Sequence, residues 1–97
     1  MRQLRNYTEE AVRVCIERWY PAEDEICQCD DCRLDVSAIM LNDLDPRYVV
    51  TDQGALYAQL NDFDPQFKAD LQTSMGLAIQ TVKGRPRHAR EQMPGEM

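Results

Sequence analysis

The sequence feature that most constrains this chain is a cluster of three cysteines, Cys27, Cys29 and Cys32, spaced C-x-C-x-x-C. Thiolates at such short spacing are typical metal ligands, because thiols stay reduced in the cytoplasm and seldom form disulfides there. A closed zinc site has four ligands in a tetrahedron, and the chain has one further cysteine, Cys15. The sequence therefore predicts a structural Zn2+ site formed by Cys15 together with this cysteine cluster.

Two other interpretations of the cysteine cluster stay open, namely reduced thiols without a metal and a redox or disulfide pair. The cluster falls at the start of a predicted helix, where free backbone N–H groups and the helix dipole favour thiolate over thiol. A site with four thiolates carries excess negative charge, which Arg18 and Arg33 are near enough in sequence to offset. This placement favours the metal site.

Apolar residues at helical spacing predict a first and a last helix. The first begins with Asn6 as its cap and runs to Pro21. The last begins at Asp64 and Pro65, a capping residue followed by a proline in the first turn, and ends at Gly84. Both helices carry one apolar stripe, as expected of helices that pack on a shared core.

A second helix is predicted from about residue 31 to Leu44, with Asp30 as its cap. It shows two apolar sides where a surface helix shows one. The helix is therefore either central in the monomer or shared with a second subunit, and we expect a homodimer whose seam uses part of this helix or of the last one. The apolar residues fall into one group of Leu34, Ala38 and Leu41 and another of Val36, Ile39, Met40 and Leu44.

Residues 47–51 favour an extended strand, and Asp52, Gln53 and Gly54 favour a turn before the alternating Leu56, Ala58 and Leu60. A short β-hairpin is thus a candidate element of an otherwise mainly α chain. The fold class predicted is a small helical domain with a cysteine–zinc site over residues 1–84. Residues 85–97 are basic and then polar with almost no apolar side chain, which predicts a flexible tail.

Composition excludes several classes of function. A formal net charge of -6 argues against binding to a nucleic acid polymer, which needs a surplus of lysine and arginine. The sequence has no apolar run long enough to span a membrane and no apolar signal-peptide core, so we expect a cytoplasmic protein without membrane insertion. The single histidine, His88, lies among arginines, and no serine or threonine lies in a nucleophile elbow. We therefore expect no enzymatic activity.

Two polar residues of the second helix, Asp35 and Asn42, are seven positions apart and project in nearly the same direction, about 10.5 Å apart along the axis. They form a polar lane between the two apolar sides. Asp35 could bond a basic group near the metal while Asn42 caps the turn before Pro46. Alternatively, the lane is a ligand site in which Asp35 accepts hydrogen bonds and Asn42, Arg47 and Tyr48 supply donors and a stacking face.

The run from Cys27 onward, C-Q-C-D-D-C-R-L-D-V-S-A-I-M-L-N-D-L-D-P-R-Y-V-V-T, resembles the ComFB family, named for late competence development and found in bacteria. The opening R-N-Y-T-E-E and the later F-D-P-Q-F-K-A-D-L also resemble this family, so the likeness covers residues 4–88. In the family a second proline often stands where this chain has Asp45, a departure that could loosen the turn.

The resemblance implies a small helical homodimer, zinc bound by cysteines, and binding of the second messenger cyclic di-GMP. It assigns the metal to the four cysteines and a ligand site to Arg33, Asp35, Asn42, Arg47 and Tyr48. The function expected is a regulatory receptor that binds cyclic di-GMP and signals to a protein partner. The alternative is a zinc-stabilised protein-interaction module in competence, pilus or motility pathways, with no small ligand.

Overall fold

The computed structural model describes residues 2–52, residue 55 and residues 64–84. That part of the chain contains three helices and one two-stranded antiparallel sheet, which confirms the mainly helical fold class. In chain order the elements are β1 (Gln3–Asn6), α1 (Tyr7–Trp19), a short 3-10 helix (Tyr20–Ala22), α2 (Asp30–Asp43), β2 (Tyr48–Thr51) and α3 (Pro65–Gly84).

Helix α1 begins where the sequence predicted. The side-chain oxygen of Asn6 accepts the backbone N–H of Thr8 at 3.1 Å, which caps the first turn. The helix ends at Trp19, where a 3-10 turn containing Pro21 takes over. Its buried face belongs to the core and consists of Thr8, Ala11, Val12, Val14, Cys15 and Ile16.

Helix α2 begins one residue earlier than predicted, and the assignment of Asp30 as its cap is wrong. The cap is Cys29, whose backbone is extended and whose sulfur accepts the N–H of Cys32 at 3.5 Å. Asp30 and Asp31 lie inside the first turn, where their negative charges interact favourably with the positive end of the helix dipole. The cysteine cluster therefore also starts the helix.

The two apolar sides of α2 have different environments. Cys32, Val36 and Met40 are buried, and the helix packs against α3 and α1. On the other side Leu34 is 66% exposed and Leu41 is partly buried. Within the described residues one side of α2 is therefore covered, and the other side, around Leu34, is left uncovered.

Helix α3 begins and ends as predicted, from Pro65 to Gly84. The Asp64 carboxylate caps it by accepting the N–H groups of Gln66 at 2.9 Å and Phe67 at 3.2 Å. Its buried stripe closes the core opposite α1 and α2 and consists of Phe67, Leu71, Ser74, Met75, Ala78, Ile79 and Val82. Among the described residues no helix is long and apolar enough to cross a membrane.

Strand β2 confirms the extended conformation predicted for residues 47–51. It pairs antiparallel with β1, so that Leu4 lies opposite Val50 and Asn6 opposite Tyr48. No sequence pattern indicates β1, because its four residues are too few to show an alternation. The second arm of the predicted hairpin and the tail at 85–97 lie outside the described residues.

Candidate functional site

The cysteine cluster forms a compact group of sulfur atoms. The Sγ atoms of Cys27, Cys29 and Cys32 all lie within 4.8 Å of one another. Tetrahedral zinc with Zn–S bonds of about 2.3 Å holds its sulfurs about 3.8 Å apart, so the spread of this group fits one ion. Because Cys27 and Cys29 are exposed, the outer side of the group is open to solvent. The chain can therefore hold a metal by three thiolates here.

Cys15, the expected fourth ligand, does not belong to this group of sulfurs. It is fully buried on α1, and its thiol lies 3.7 Å from the Sδ atom of Met75 on α3. Burial raises the pKa of Cys15 to about 12, which holds it as a neutral thiol. In the structure Cys15 is a core residue, whereas the three clustered cysteines are the ones brought together.

The electrostatics of the cluster differ from one sulfur to the next. The backbone N–H of Cys32 donates to the sulfur of Cys29 and lowers the pKa of that thiol. Burial, reinforced by the neighbouring sulfurs of Cys29 and Cys27, raises the pKa of Cys32 to about 12. The helix N-terminus thus stabilises a thiolate at Cys29, while burial outweighs it at Cys32. A divalent cation among the sulfurs would offset both the burial cost and the repulsion.

Polar contacts fix the segment that carries Cys27. The hydroxyl of buried Tyr20 donates to the backbone carbonyl of Cys27 at 2.6 Å. The amide of Gln28 donates to the backbone carbonyls of Tyr20 and Glu23, each at 3.1 Å. Arg33 donates to the Gln28 side chain at 3.2 Å, and its guanidinium lies 5.5 Å from the centre of the Tyr20 ring. These contacts hold the connection between the 3-10 helix and α2, residues 23–29, in place. The guanidinium of Arg33 adds a positive charge next to it.

The predicted ligand residues lie at both ends of α2. Arg33 and Asp35 are partly buried near its start, and Asn42 is exposed in its last turn. Arg47 and Tyr48 follow the helix, with the guanidinium of Arg47 4.1 Å from the centre of the Phe67 ring. Residue 43, the last of α2, is about 15 Å from residue 33 along the helix axis, and Arg47 follows it in the chain. A single chain therefore separates Arg33 from Arg47, and one small ligand would reach both only across two chains.

The segment with Asp45 and Arg47 is tied to the start of α1. The side-chain oxygen of Asn6 accepts the backbone N–H of Arg47 at 2.9 Å, while the Arg47 carbonyl accepts the N–H of Tyr7. The hydroxyl of Thr8 donates to the carbonyl of Asp45 at 2.7 Å. Asn6 was predicted as a cap, but its second role was missed because it joins residues 41 positions apart. We call residues 45–48 the anchored segment.

Two cavities flank α2. The larger, about 620 Å³, lies between α1 and α2, and Arg33, Leu34 and Leu41 contribute to its walls. The smaller, about 330 Å³, lies between the end of α2 and α3, next to Arg47. Asp35, Asn42 and Tyr48 line neither of these cavities.

The chain is similar to known proteins in its sequence and in its fold. The family of the late competence development protein ComFB matches residues 5–86. The fold is similar to that of the late competence protein ComFB from Bacillus subtilis, with a TM-score of 0.72 and 26% sequence identity, covering 90% of this chain and 98% of that one. No curated protein matches the sequence significantly. The matched residues include the cysteine cluster, the anchored segment and α3.

Proposed function

We propose a function for this chain, which belongs to the ComFB family of late competence development proteins. The chain acts as a regulatory receptor that binds cyclic di-GMP and passes the signal to a protein partner in the cytoplasm, without enzymatic activity. The observation that carries this proposal is the anchored segment, which has an arginine and an exposed tyrosine at consecutive positions and is tied to the start of α1 by hydrogen bonds.

Arg47 and Tyr48 have the chemistry that a cyclic dinucleotide needs. Among the described residues the guanidinium of Arg47 forms no ion pair, so it is available to a phosphate. The Tyr48 side chain is 66% exposed and can stack on a purine. Hydrogen bonds to Asn6, Tyr7 and Thr8 hold the backbone of this segment, which lowers the entropy lost on binding.

The proposed ligand site contains all five predicted residues only when two chains come together. Asp35 and Asn42 supply an acceptor and an amide for a guanine edge, and Arg33 of a second copy supplies the further cation. The uncovered side of α2 supports such pairing, since Leu34 is 66% exposed beside the larger cavity. On α3, Leu77 is also 59% exposed. We therefore propose a homodimer that uses one of these helices.

The metal proposed for the cysteine cluster is structural Zn2+. Cys27, Cys29 and Cys32 would hold it, and the exposed side of the cluster leaves the fourth position to a donor from solvent or from another chain. When bound, zinc would supply a crosslink between the connection and the first turn of α2. Its binding free energy would then add to folding.

The runner-up function is a zinc-stabilised protein-interaction module in competence, pilus or motility pathways. The outer face of the sheet favours it, because Leu4 and Val50 lie opposite each other and are 70% and 63% exposed. With Tyr48 they form an apolar patch of the kind that docks proteins. The two functions differ in whether a small ligand binds.

Thermal unfolding of the zinc-loaded protein with and without cyclic di-GMP separates the two functions. A ligand at 100 times its dissociation constant adds about 2.7 kcal/mol to the free energy of unfolding, which raises the melting midpoint measurably. Cyclic di-AMP and cyclic AMP serve as comparison ligands. An unchanged midpoint with all three nucleotides would reject the receptor and leave the interaction module.

A further inference from the structure

The smaller cavity is rich in carboxylates. Its walls include Asp43 from the last turn of α2, Asp45 and Arg47 from the anchored segment, and Asp70, Thr73 and Ser74 from α3, and we call it the acidic cavity. Three carboxylates face one guanidinium, so the lining carries excess negative charge. Within the part of the chain that the structure describes, none of these three aspartates forms an ion pair.

The buried side chain of Ser74 is a separate indication that the acidic cavity holds a ligand. The residue is 3% exposed, and its hydroxyl has no hydrogen-bond partner among the described residues. A buried hydroxyl without a partner destabilises a folded chain, so such groups are usually satisfied. Ser74 lines the acidic cavity on the same side of α3 as Asp70, one turn away. A bound molecule in the cavity would supply the partner that Ser74 lacks.

We propose that the acidic cavity binds a small organic cation through a primary ammonium or guanidinium group. Such groups carry several N–H donors and no acceptor, so they match a lining of carboxylates and hydroxyls. The hydroxyls of Ser74 and Thr73 accept from the cation, and Asp43, Asp45 and Asp70 balance its charge. The cation can be a free diamine or polyamine, or a basic side chain of a partner protein.

The lining and the volume of the acidic cavity favour an organic cation over a metal ion or a nucleobase. Among the described residues only the cysteine cluster places three ligand atoms within 4.8 Å of one another, so these aspartates do not converge on one metal ion. A volume of about 330 Å³ is in the range of organic ligand sites. A nucleobase would need a stacking face, but Phe67 is 4% exposed and is covered by Arg47 and Tyr7.

Calorimetric titration of the full-length, zinc-loaded protein tests this site with three probes. Agmatine and spermidine represent free cations, and a short peptide with one central arginine and capped ends represents a partner's side chain. We expect saturable binding of at least one probe, weakening as salt rises. A preference for the capped peptide would assign the site to a protein partner. Failure of all three probes to bind more tightly than about 1 mM would overturn the proposal.

Two conservative substitutions locate the binding. Asp70→Asn removes one charge and should weaken binding about tenfold, whereas Asp24→Asn, an exposed carboxylate outside the cavity, should leave it unchanged. Ser74→Ala should also weaken binding, yet the melting midpoint of the ligand-free variant should stay equal or rise, because an unsatisfied hydroxyl is removed. Equal binding by wild type and both cavity variants, or a lower midpoint for Ser74→Ala, would contradict the assignment. These probes carry no nucleotide, so a negative result rejects the cation site and leaves cyclic di-GMP binding to its own titration.

Discussion

The hydroxyl of Tyr20 donates a 2.6 Å hydrogen bond to the backbone carbonyl of Cys27, which couples the end of α1 to the cysteine cluster. Because Tyr20 is fully buried, its ring and this hydrogen bond together fix the position of the Cys27 backbone before α2 begins. The cysteine cluster is therefore held in place by a contact with the core.

Removing this support should weaken the centre. Tyr20→Phe keeps the ring and deletes the hydroxyl, so the free energy of unfolding should fall by about 1 kcal/mol. Zinc should also transfer faster to a competing chelator, because Cys27 is less firmly held. Tyr48→Phe, at an exposed ring, is the matched control and should change neither quantity. Identical unfolding and metal-transfer curves for Tyr20→Phe would show that this bond is incidental.

The four cysteines should separate into two classes. Cys29→Ser and Cys32→Ser should lose bound zinc and much of the folding stability, because a structural site contributes its binding free energy to folding. Cys15→Ser should keep one zinc per chain but melt lower, since it places a hydroxyl in the core beside Met75. Native mass spectrometry and melting curves measure both properties. Loss of zinc from Cys15→Ser would instead make Cys15 the fourth ligand.

The helices could be predicted from the sequence because their signals are local. Asn6 and the pair Asp64 and Pro65 mark helix starts within four residues of the turn they stabilise, and the structure confirms both starts. The closeness of the three clustered cysteines could be predicted for the same reason, because they lie within one short segment of the chain.

Three other features could not be predicted from the usual local patterns. The start of α2 was misplaced because a sulfur cap at Cys29 is not among the usual capping signals, while Asp30 is. The position of Cys15 depends on how α1 rotates against α3, which the spacing of cysteines does not specify. The tie from Asn6 to Arg47 joins residues 41 positions apart, so no local pattern could reveal it.

The double role of Asn6 gives a further prediction. Asn6→Ala removes the cap of α1 and the acceptor of the Arg47 N–H, so the free energy of unfolding should fall by about 0.5–2 kcal/mol. Cyclic di-GMP affinity should fall as well, because the anchored segment loosens. Asp64→Ala removes the cap of α3 and is the matched control, with a similar loss of stability and unchanged affinity. Equal losses of affinity in both variants would mean that general destabilisation accounts for the effect.

One ion pair gives a test of how α3 meets the connection before the cluster. Lys83 lies 2.7 Å from the Glu25 carboxylate and holds the pKa of Glu25 below its ordinary value. A lowered pKa stabilises the fold above the unfolded pKa, and this contribution disappears as the pH falls through the folded pKa. In an NMR titration the pKa of Glu25 should return toward its ordinary value in Lys83→Ala. An unchanged Glu25 titration in that variant would place the two side chains apart in solution.

The uncovered side of α2 predicts association of two chains. Light scattering should give twice the 11.3 kDa of one chain, and Leu34→Glu should shift the equilibrium toward the monomer because a charge replaces an exposed apolar side chain at the seam. Leu77→Glu, on α3, tests the other seam. A mass of one chain at all concentrations would remove the homodimer, and with it any ligand site shared between copies.

Calorimetric titration of the zinc-loaded protein with cyclic di-GMP tests whether the anchored segment binds this nucleotide. Wild type should bind the nucleotide, and Arg47→Ala should bind about tenfold more weakly or worse, since a charge-assisted contact to phosphate is lost. Arg18→Ala, an exposed arginine on α1, should bind as wild type does. Absence of binding by wild type, or equal affinities in wild type and Arg47→Ala, would reject the anchored segment as a cyclic di-GMP site.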